Sequence, residues 1–514
     1  MIGIFALRCV LTTFVIKFTK NMSCKRFVKL IAYPSLYVLL AFVITTFFCF
    51  CCSPFWNVMG LDQSMFSIIG EGWSQGCLPY VDLWDSKGPI IFFVNMLGHS
   101  IAPGENGVYI LQTLNLAGVL LLSHFFMRRY CMRLDEIASQ LIFLLFYVLV
   151  CKGGNQVGDA TLFFSTLSVF LAYEWTQKAN AGDLLHSWKS AFVYGVFAAS
   201  CLLSRLTNCS VVVTFAMLVA VLLVYKRLWH NLLVNLMAFV VGFSLAFIPF
   251  AIYFGCHGAF HEMWYAMFSY NLEYAEHSHY ISGATHVYRD VLYFIFYFFC
   301  LSFPLLVCAL SLIKRKRRFV NIFLALSVVP TYVWIFNSHA FEHYAISYLP
   351  LIMISLVEIR KLIDFRGLYI AIPVVVILLV VLYIRLFHYY KPNAEPMGLT
   401  QKSIEMTDNV PKCDTFVAYD ISPTFYIYAG REPDYRFFTM QDWAIENGPS
   451  LRQKVVDCYR SGRAEWILVY QYGQSNIKGV LDENYELYRY DEKYDLSLFK
   501  RKHYNNVQDE NKTN

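Results

Sequence analysis

Long apolar stretches separated by short polar segments run through the first three quarters of this sequence. Apolar runs of roughly 18 or more residues with few charges predict membrane-spanning helices. We therefore predict a polytopic α-helical membrane protein, with a transmembrane domain over residues 30–390. The pattern indicates about eleven spans, at approximately 30–53, 106–127, 136–151, 159–176, 190–207, 209–225, 232–254, 291–313, 319–337, 345–359 and 368–387.

Clusters of basic residues predict which side of the membrane each loop occupies. All of them fall on one side of the predicted spans, and the positive-inside rule makes that side the cytoplasm. Residues 1–29 are then a cytoplasmic N-terminal extension, in a multi-pass protein of a cell (inner) membrane. The opposite side holds a long loop at 54–105, a short loop around 152–158, a loop near 255–290 and the C-terminal tail.

The tail, residues 391–514, changes to a mixture of charged residues, tyrosines and short apolar runs. The order of these runs predicts a small, soluble, extracytoplasmic α/β domain. Cys413 and Cys458 either pair there or remain free thiols. The predicted elements are strands at Thr415–Tyr419, Tyr435–Met440 and Glu465–Tyr470, a helix at Leu451–Tyr459, and a closing hairpin of Tyr485–Tyr490 with Leu496–Lys500.

The composition agrees with a membrane protein and excludes one class of partner. Of the 514 residues, 57% are hydrophobic and only 15% are charged, against about a quarter charged in soluble domains. The net charge of +6 is modest for this length. It does not indicate nucleic-acid binding, because the basic residues lie in short clusters between apolar runs.

The first predicted outer loop carries charges suited to chemistry at the membrane surface. Asp62 follows the first span, and Asp82, Asp85 and Lys87 come shortly before the chain re-enters the apolar region at Pro89. A lysine at this level can neutralise a leaving phosphate, and a carboxylate can take a proton from an acceptor hydroxyl. The alternative is that these charges only solvate the loop.

Three short motifs of this loop carry a resemblance to a known family. In order they read Leu61-Asp62-Gln63, Gly76-Cys77-Leu78-Pro79-Tyr80-Val81-Asp82 and Asp85-Ser86-Lys87-Gly88-Pro89. They resemble the first outer loop of the GT-C glycosyltransferases, in particular the bacterial family related to protein mannosyltransferases and lipid A aminoarabinose transferases. The resemblance covers about residues 30–390. It implies that Asp62 is the catalytic aspartate and Lys87 binds the donor phosphate, while Gln63 replaces a second acidic residue.

Further candidates come from the other loops on the same side. Asp159, at the start of the fourth span, matches another acidic residue of the family, although it can equally be a helix cap. His343 and Tyr344 are similar to a segment near the donor phosphate, or belong to an interfacial aromatic belt. Arg205 can bind an anionic head group or only snorkel to the interface.

No definite cofactor is predicted. The spacing of acidic and histidine side chains in the loop near 255–290 leaves a divalent metal as an alternative. The residues that could hold a metal are Glu273, Glu276, His277 and His279.

Arg289, on the same loop, is a second phosphate partner proposed from charge alone.

Together these features predict an inverting glycosyltransferase that takes one sugar from a polyprenyl-phosphate donor. Asp62 is the predicted base, and Lys87, helped by Tyr344 or Arg205, binds the leaving phosphate. Asp85 and Asp159 orient the acceptor or sugar, and Asp82 is a further substrate-binding candidate. The acceptor is a hydroxyl of a glycan, lipid or protein. The alternatives are a transporter or flippase of lipid-linked glycans, a polymerase or ligase of such glycans, and a non-enzymatic membrane scaffold.

Overall fold

A computed structural model of the chain describes residues 24–151, 153–277, 301–314, 319–337, 342–363, 367–392, 395–462 and 464–502. It is mostly helical up to residue 390. The numbered helices of this part are α1 (Cys24–Phe48), α2 (Leu61–Ser74), α3 (Pro89–Ile101), α4 (Asn106–Met127), α5 (Arg133–Cys151), α6 (Asp159–Asn180), α7 (Trp188–Leu202), α8 (Ser210–Tyr225), α9 (Trp229–Cys256), α10 (Phe260–Trp264), α11 (Tyr270–His277), α12 (Phe319–Asn337), α13 (Leu349–Ile363) and α14 (Ala371–Tyr390).

The helices confirm a multi-pass membrane protein. Five helical segments among the described residues are long and apolar enough to cross a bilayer, and they include α4, α5 and α9. The count of about eleven spans remains a prediction. The expected spans at 159–176 and 190–207 correspond to α6 and α7, and the one at 345–359 begins with a 3₁₀ turn, Glu342–Tyr348, before α13. Residues 1–23 and 291–300 lie outside the described residues.

The first predicted outer loop folds into two packed helices, α2 and α3. Pro89 stands at the first position of α3, where its missing N–H leaves no hydrogen bond unmade. The two helices meet closely at Gly70, where an added Cβ would lie 2.4 Å from the Cβ of Asn95. Helix α3 is short: it has 13 residues, or roughly 20 Å at 1.5 Å per residue.

The tail contains a four-stranded sheet flanked by short helices. Its strands have the order β1-β2-β4-β3, in which β1 and β2 are parallel and the other pairs are antiparallel. The predicted helix at Leu451–Tyr459 and the closing hairpin are confirmed. The elements are β1 (Phe416–Tyr419), β2 (Trp466–Tyr470), β3 (Tyr485–Asp491), β4 (Leu496–Arg501), α15 (Gly398–Met406), α16 (Thr424–Ala429), α17 (Gln441–Asn447), α18 (Leu451–Ser461) and α19 (Lys478–Asn484).

The predicted strand at Tyr435–Met440 is wrong. Its aromatic side chains are buried as a strand's would be, but no neighbouring strand among the described residues pairs with it. The carbonyl oxygen of Phe437 accepts hydrogen bonds from Gln441 Nε2 at 2.9 Å and from Tyr459 Oη at 2.9 Å. The segment therefore forms an irregular buried connection to α17. Cys413 and Cys458 are both free thiols.

The tail shares one hydrophobic core with α2, α3 and the segment between them. Trp84 lies at the centre of this contact, with ring centroids 5.5 Å from Phe437 and 5.0 Å from Tyr270. The tail thus packs directly on the segment that carries Asp85 and Lys87. The division into domains at residue 391 remains a prediction.

Candidate functional site

The segment that carries Lys87 is joined to the chain just before Arg205. The backbone nitrogen of Gly88 donates to the carbonyl oxygen of Ser204 at 3.3 Å, and Ile90 donates to Leu203 at 3.1 Å. A Cβ at position 88 would lie 2.1 Å from the Leu203 carbonyl oxygen. Only glycine permits this approach, because the obstructing atoms are backbone. Lys87 directly precedes Gly88 and Arg205 directly follows Ser204, so both lie next to this backbone contact.

Arg205 groups with two aromatic side chains that the sequence also singled out. Its Nη2 lies 3.2 Å from His343 Nε2, and its Cζ lies 4.1 Å above the ring of Tyr344. The Nη1 atom is buried and finds no acceptor within the described residues. A buried guanidinium nitrogen without a partner is costly, so this group is suited to receive an anion such as phosphate.

Asp85 lies beside Lys87 in a buried position. Its Oδ1 accepts the backbone N–H of Ser86 at 2.6 Å and lies 4.0 Å from Lys87 Nζ. Its Oδ2 is buried, with no hydrogen-bond partner in the described part of the chain. Burial raises the pKa of the Asp85 carboxyl above its ordinary value, the charge of Asp62 adds to the rise, and Lys87 opposes it.

Asp62 is the second residue of α2 and is half-buried. Its effect on the pKa of Asp85 places the two carboxylates within electrostatic range. Its neighbour Gln63 donates from Nε2 to the carbonyl oxygen of Gly154 at 3.1 Å. A carboxylate could not make this bond, which explains physically why an amide stands at position 63.

Asp159 is occupied by internal hydrogen bonds. Its Oδ2 accepts from Gln112 Nε2 at 2.9 Å and from the Gln156 backbone at 3.1 Å, and its Oδ1 accepts from the Cys151 thiol at 3.4 Å. The start of α6 nevertheless adjoins the site, because a Cβ at Gly158 would lie 2.3 Å from Ile346 Cγ2. Both the capping role and a role near the substrate remain predictions.

Asp82 caps a turn of the first loop. Its Oδ2 accepts the backbone N–H of Leu78 at 2.6 Å, and the residue is exposed. The structure thus brings together one set of predicted residues and engages Asp82 and Asp159 in local bonds. Asp62, Asp85 and Lys87 lie together in the first loop, and Arg205 contacts His343 and Tyr344. The backbone contact between Gly88 and Ser204 joins these two groups.

Two side chains and one backbone carbonyl hold the segment around Asp85–Lys87, and the sequence pattern did not predict these contacts. Tyr80 Oη donates to the Lys87 carbonyl oxygen at 2.8 Å, and Asn271 Nδ2 donates to the Ser86 carbonyl oxygen at 2.9 Å. The Trp84 backbone nitrogen donates to the Arg436 carbonyl oxygen at 2.9 Å. Asn271 and Arg436 are far away in the chain, so spacing alone could not have found them.

The proposed metal site is not assembled within the described residues, where no three His, Cys, Asp or Glu side chains form a metal-binding group. Glu273 instead accepts the Ser450 backbone N–H at 2.8 Å and so binds the tail. His279 and Arg289 lie outside the described residues. We assign no step of the reaction to a metal.

Comparison with solved structures identifies the fold. The chain is similar to ArnT from Cupriavidus metallidurans, solved with undecaprenyl phosphate, with a TM-score of 0.54 and 14% identity over 91% of this chain and 98% of that one. It also matches the oligosaccharyltransferase AglB from Archaeoglobus fulgidus, solved with an inhibitory peptide and a dolichol-phosphate, with a TM-score of 0.46 and 11% identity over 92% and 75%. No family model and no curated protein matches the sequence.

The similarity to ArnT confirms the expected fold, that of the GT-C glycosyltransferases. It covers nearly the whole of both chains. At this level of identity the similarity defines the fold, whereas the reaction has to be argued from the site.

Proposed function

We propose that this protein is an inverting glycosyltransferase that moves one sugar from a polyprenyl-phosphate donor to an acceptor hydroxyl on the outer face of a cell membrane. One observation carries the proposal: Lys87 and Arg205 flank a single backbone contact, and Arg205 Nη1 is buried with no acceptor among the residues that the structure describes. Two cations next to an unfilled hydrogen-bond position suit a phosphate that gains charge as it leaves.

The carboxylates supply the complementary half of the chemistry. The acceptor oxygen attacks the anomeric carbon, and the bond from that carbon to the phosphate oxygen breaks with inversion. The hydroxyl proton passes to Asp62, the polyprenyl phosphate leaves with the bonding electron pair, and Lys87 and Arg205 neutralise it. Asp85 orients the acceptor or sugar through its Oδ2, which is buried with no hydrogen-bond partner among the described residues.

Asp62 is preferred over Asp159 as the base because of what each carboxylate already binds. Both oxygens of Asp159 accept internal hydrogen bonds. Taking a proton there would weaken the loop that they hold together. No hydrogen bond to Asp62 is present among the described residues, so it can receive a proton without disturbing the fold.

The tail is proposed to cover the site from the extracytoplasmic side. Its support is a set of direct contacts with the first loop and with α10 and α11. Met59 donates from its backbone to Tyr428 Oη at 3.4 Å, and Tyr270 Oη donates to the Ala444 carbonyl oxygen at 3.1 Å. A reporter that is active only outside the cytoplasm tests the orientation: it should be active after Lys391 and silent after Arg318.

The proposal is tested by a transfer assay with purified protein and polyprenyl-phosphate sugars. Formation of a glycosylated acceptor together with free polyprenyl phosphate would support it. A transporter or flippase would instead move the intact lipid-linked sugar across vesicles without cleaving it. A scaffold would do neither, and a polymerase or ligase would transfer a glycan chain rather than one sugar.

A further inference from the structure

A cavity lies between α7, α8 and α9 and extends from the turn just after Arg205 to the connection between α6 and α7. Its volume is about 290 Å³, nearly twice that of the roughly 150 Å³ apolar cavities that stay dry and bind benzene. It extends along α8 from Cys209 to Leu223, a distance of roughly 20 Å at 1.5 Å per residue. A long, narrow, apolar space of this kind fits a single hydrocarbon chain.

Glycine contacts hold two walls of the cavity, α7 and α9, against each other, and α8 forms the third wall. A Cβ at Gly195 of α7 would lie 2.0 Å from the Phe239 carbonyl oxygen, and one at Gly242 of α9 would lie 2.1 Å from the Phe192 carbonyl oxygen. Helices α7 and α9 are therefore in backbone contact. Two lining side chains, Met217 and Leu236, are 65% and 55% exposed, so the space opens sideways to the bilayer.

The end of the cavity farthest from the active site is polar. Helix α6 begins beside the site at Asp159 and ends at Asn180, and α7 runs back towards Arg205. The connection between α6 and α7 therefore lies at the end of the helices opposite to the proposed active site, which is the predicted cytoplasmic end. His186 is in this connection and lines the cavity together with Tyr194. Both are at least nine-tenths buried, at 5% and 2% exposure.

Two polar atoms at this end have no partner. Asn235 Nδ2 donates to the His186 carbonyl oxygen at 3.0 Å, so its Oδ1 must be the acceptor that lies 2.7 Å from His186 Nδ1. That bond uses the proton on Nδ1 and leaves Nε2 of the neutral ring as an acceptor. Nε2 and Tyr194 Oη are buried without a hydrogen-bond partner in the described part of the chain. A ligand hydroxyl would satisfy both.

The turn that closes this end carries two exposed cations. Lys226 and Arg227 connect α8 to α9, directly between the lining residues Leu223 and Leu232. Neither has a carboxylate partner among the residues that the structure describes. Paired basic residues at the head-group level attract anionic lipids.

From these observations we propose that the cavity is a binding site for an anionic glycerophospholipid with a free head-group hydroxyl, of the phosphatidylglycerol type. One acyl chain fills the apolar space along α8. The head-group hydroxyl donates to His186 Nε2 and accepts from Tyr194, and the phosphate lies beside Lys226 and Arg227. This site is distinct from the proposed donor site and does not depend on the protein being a transferase.

The test is native mass spectrometry of the detergent-solubilised full chain, titrated with phosphatidylglycerol and, in parallel, phosphatidylcholine of the same chains. We expect one retained phosphatidylglycerol with at least tenfold preference over phosphatidylcholine. Ala216→Phe, which fills the cavity, should abolish retention. Val241→Phe, on the exposed face of α9 and outside the cavity lining, is the matched control and should leave it unchanged.

Two further variants keep the proposal testable if Ala216→Phe does not fold. The exposed double variant Lys226→Gln with Arg227→Gln should remove the preference for the anionic lipid, and His186→Phe should weaken retention of phosphatidylglycerol more than that of phosphatidylcholine. Equal retention of both lipids by wild type would overturn the proposal. So would retention unaffected by these variants, or displacement of the bound lipid by stoichiometric polyprenyl phosphate, which would assign the cavity to the donor.

Discussion

The backbone nitrogen of Gly88 donates a hydrogen bond to the carbonyl oxygen of Ser204 at 3.3 Å. This contact joins the re-entry of the first loop to the end of α7. It brings Lys87 and Arg205, which are far apart in the sequence, to one place at the proposed outer end of the bundle. The proposed phosphate site is therefore built by a backbone contact as much as by side chains.

Gly88→Ala tests this contact. The added methyl group would lie 2.1 Å from the Leu203 carbonyl oxygen, so the loop must move, at a cost of about 1–3 kcal/mol for an overpacked site. We expect at least a tenfold loss of sugar transfer and a lower melting temperature in detergent. Gly479→Ala is the matched control, because nothing lies within 4 Å of its Cβ position. Wild-type transfer by Gly88→Ala would contradict the assigned role of the contact.

Arg205→Lys separates charge from geometry. Lysine retains the positive charge but loses the planar guanidinium, whose Cζ lies 4.1 Å from the centroid of the Tyr344 ring. A guanidinium stacks on an aromatic face as a plane, whereas an ammonium is a point charge. We expect the KM for the lipid-phosphate donor to rise about tenfold, equivalent to roughly 1.4 kcal/mol. Tyr344→Phe keeps the ring and should change KM less than Tyr344→Leu does. Identical donor kinetics in Arg205→Lys and wild type would show that Arg205 does not bind the phosphate.

The tail should influence catalysis through the ion pair of Arg436 with Glu262. The Arg436 carbonyl oxygen accepts the Trp84 backbone N–H, and Trp84 directly precedes Asp85. Loss of the ion pair between Arg436 and Glu262 can therefore shift Asp85 through Trp84. Glu262→Gln should lower kcat several-fold and leave donor KM nearly constant, because it disturbs orientation rather than charge at the phosphate. Asp457→Asn breaks the exposed pair with Arg460 and serves as the control. A change in KM alone would refute this positioning role.

Several parts of this account were predictable from sequence, for reasons that are local. Asp62, Asp85 and Lys87 were found because they lie within one loop, and β1, β2 and the closing hairpin because apolar runs marked them. The clustering of Arg205 with His343 and Tyr344 required the tertiary fold. The strand predicted at Tyr435–Met440 failed because its burial comes from packing against α17 and α18 rather than from a sheet.

The stability of the tail should depend on the protonation of Asp420. Burial, and then the charge of Asp442, raises the pKa of the Asp420 carboxyl from 3.8 to about 6. The folded chain thus binds this proton more tightly than the unfolded chain does, so the stabilisation is present at low pH and is lost as the pH rises from about 4 to about 6.

Asp420→Asn removes this titration and keeps an oxygen that can accept the Asp442 N–H, which lies 3.2 Å from Oδ1. Its melting temperature should equal that of wild type near pH 4 and exceed it by a few degrees above pH 6. Thermal unfolding in detergent across this pH range measures the difference. A constant gap between the two proteins at every pH would contradict the prediction.

The central claim is that Asp62 takes the acceptor proton while Lys87 holds the leaving phosphate. The most direct measurement is single-turnover transfer from a polyprenyl-phosphate sugar, with donor affinity measured separately, for wild type, Asp62→Asn and Lys87→Met at matched expression. We predict that Asp62→Asn lowers the transfer rate about a hundredfold or more with nearly unchanged donor affinity, and that Lys87→Met weakens donor binding and transfer together. Transfer by Asp62→Asn at the wild-type rate would contradict the account and make Asp159 the next candidate for the base.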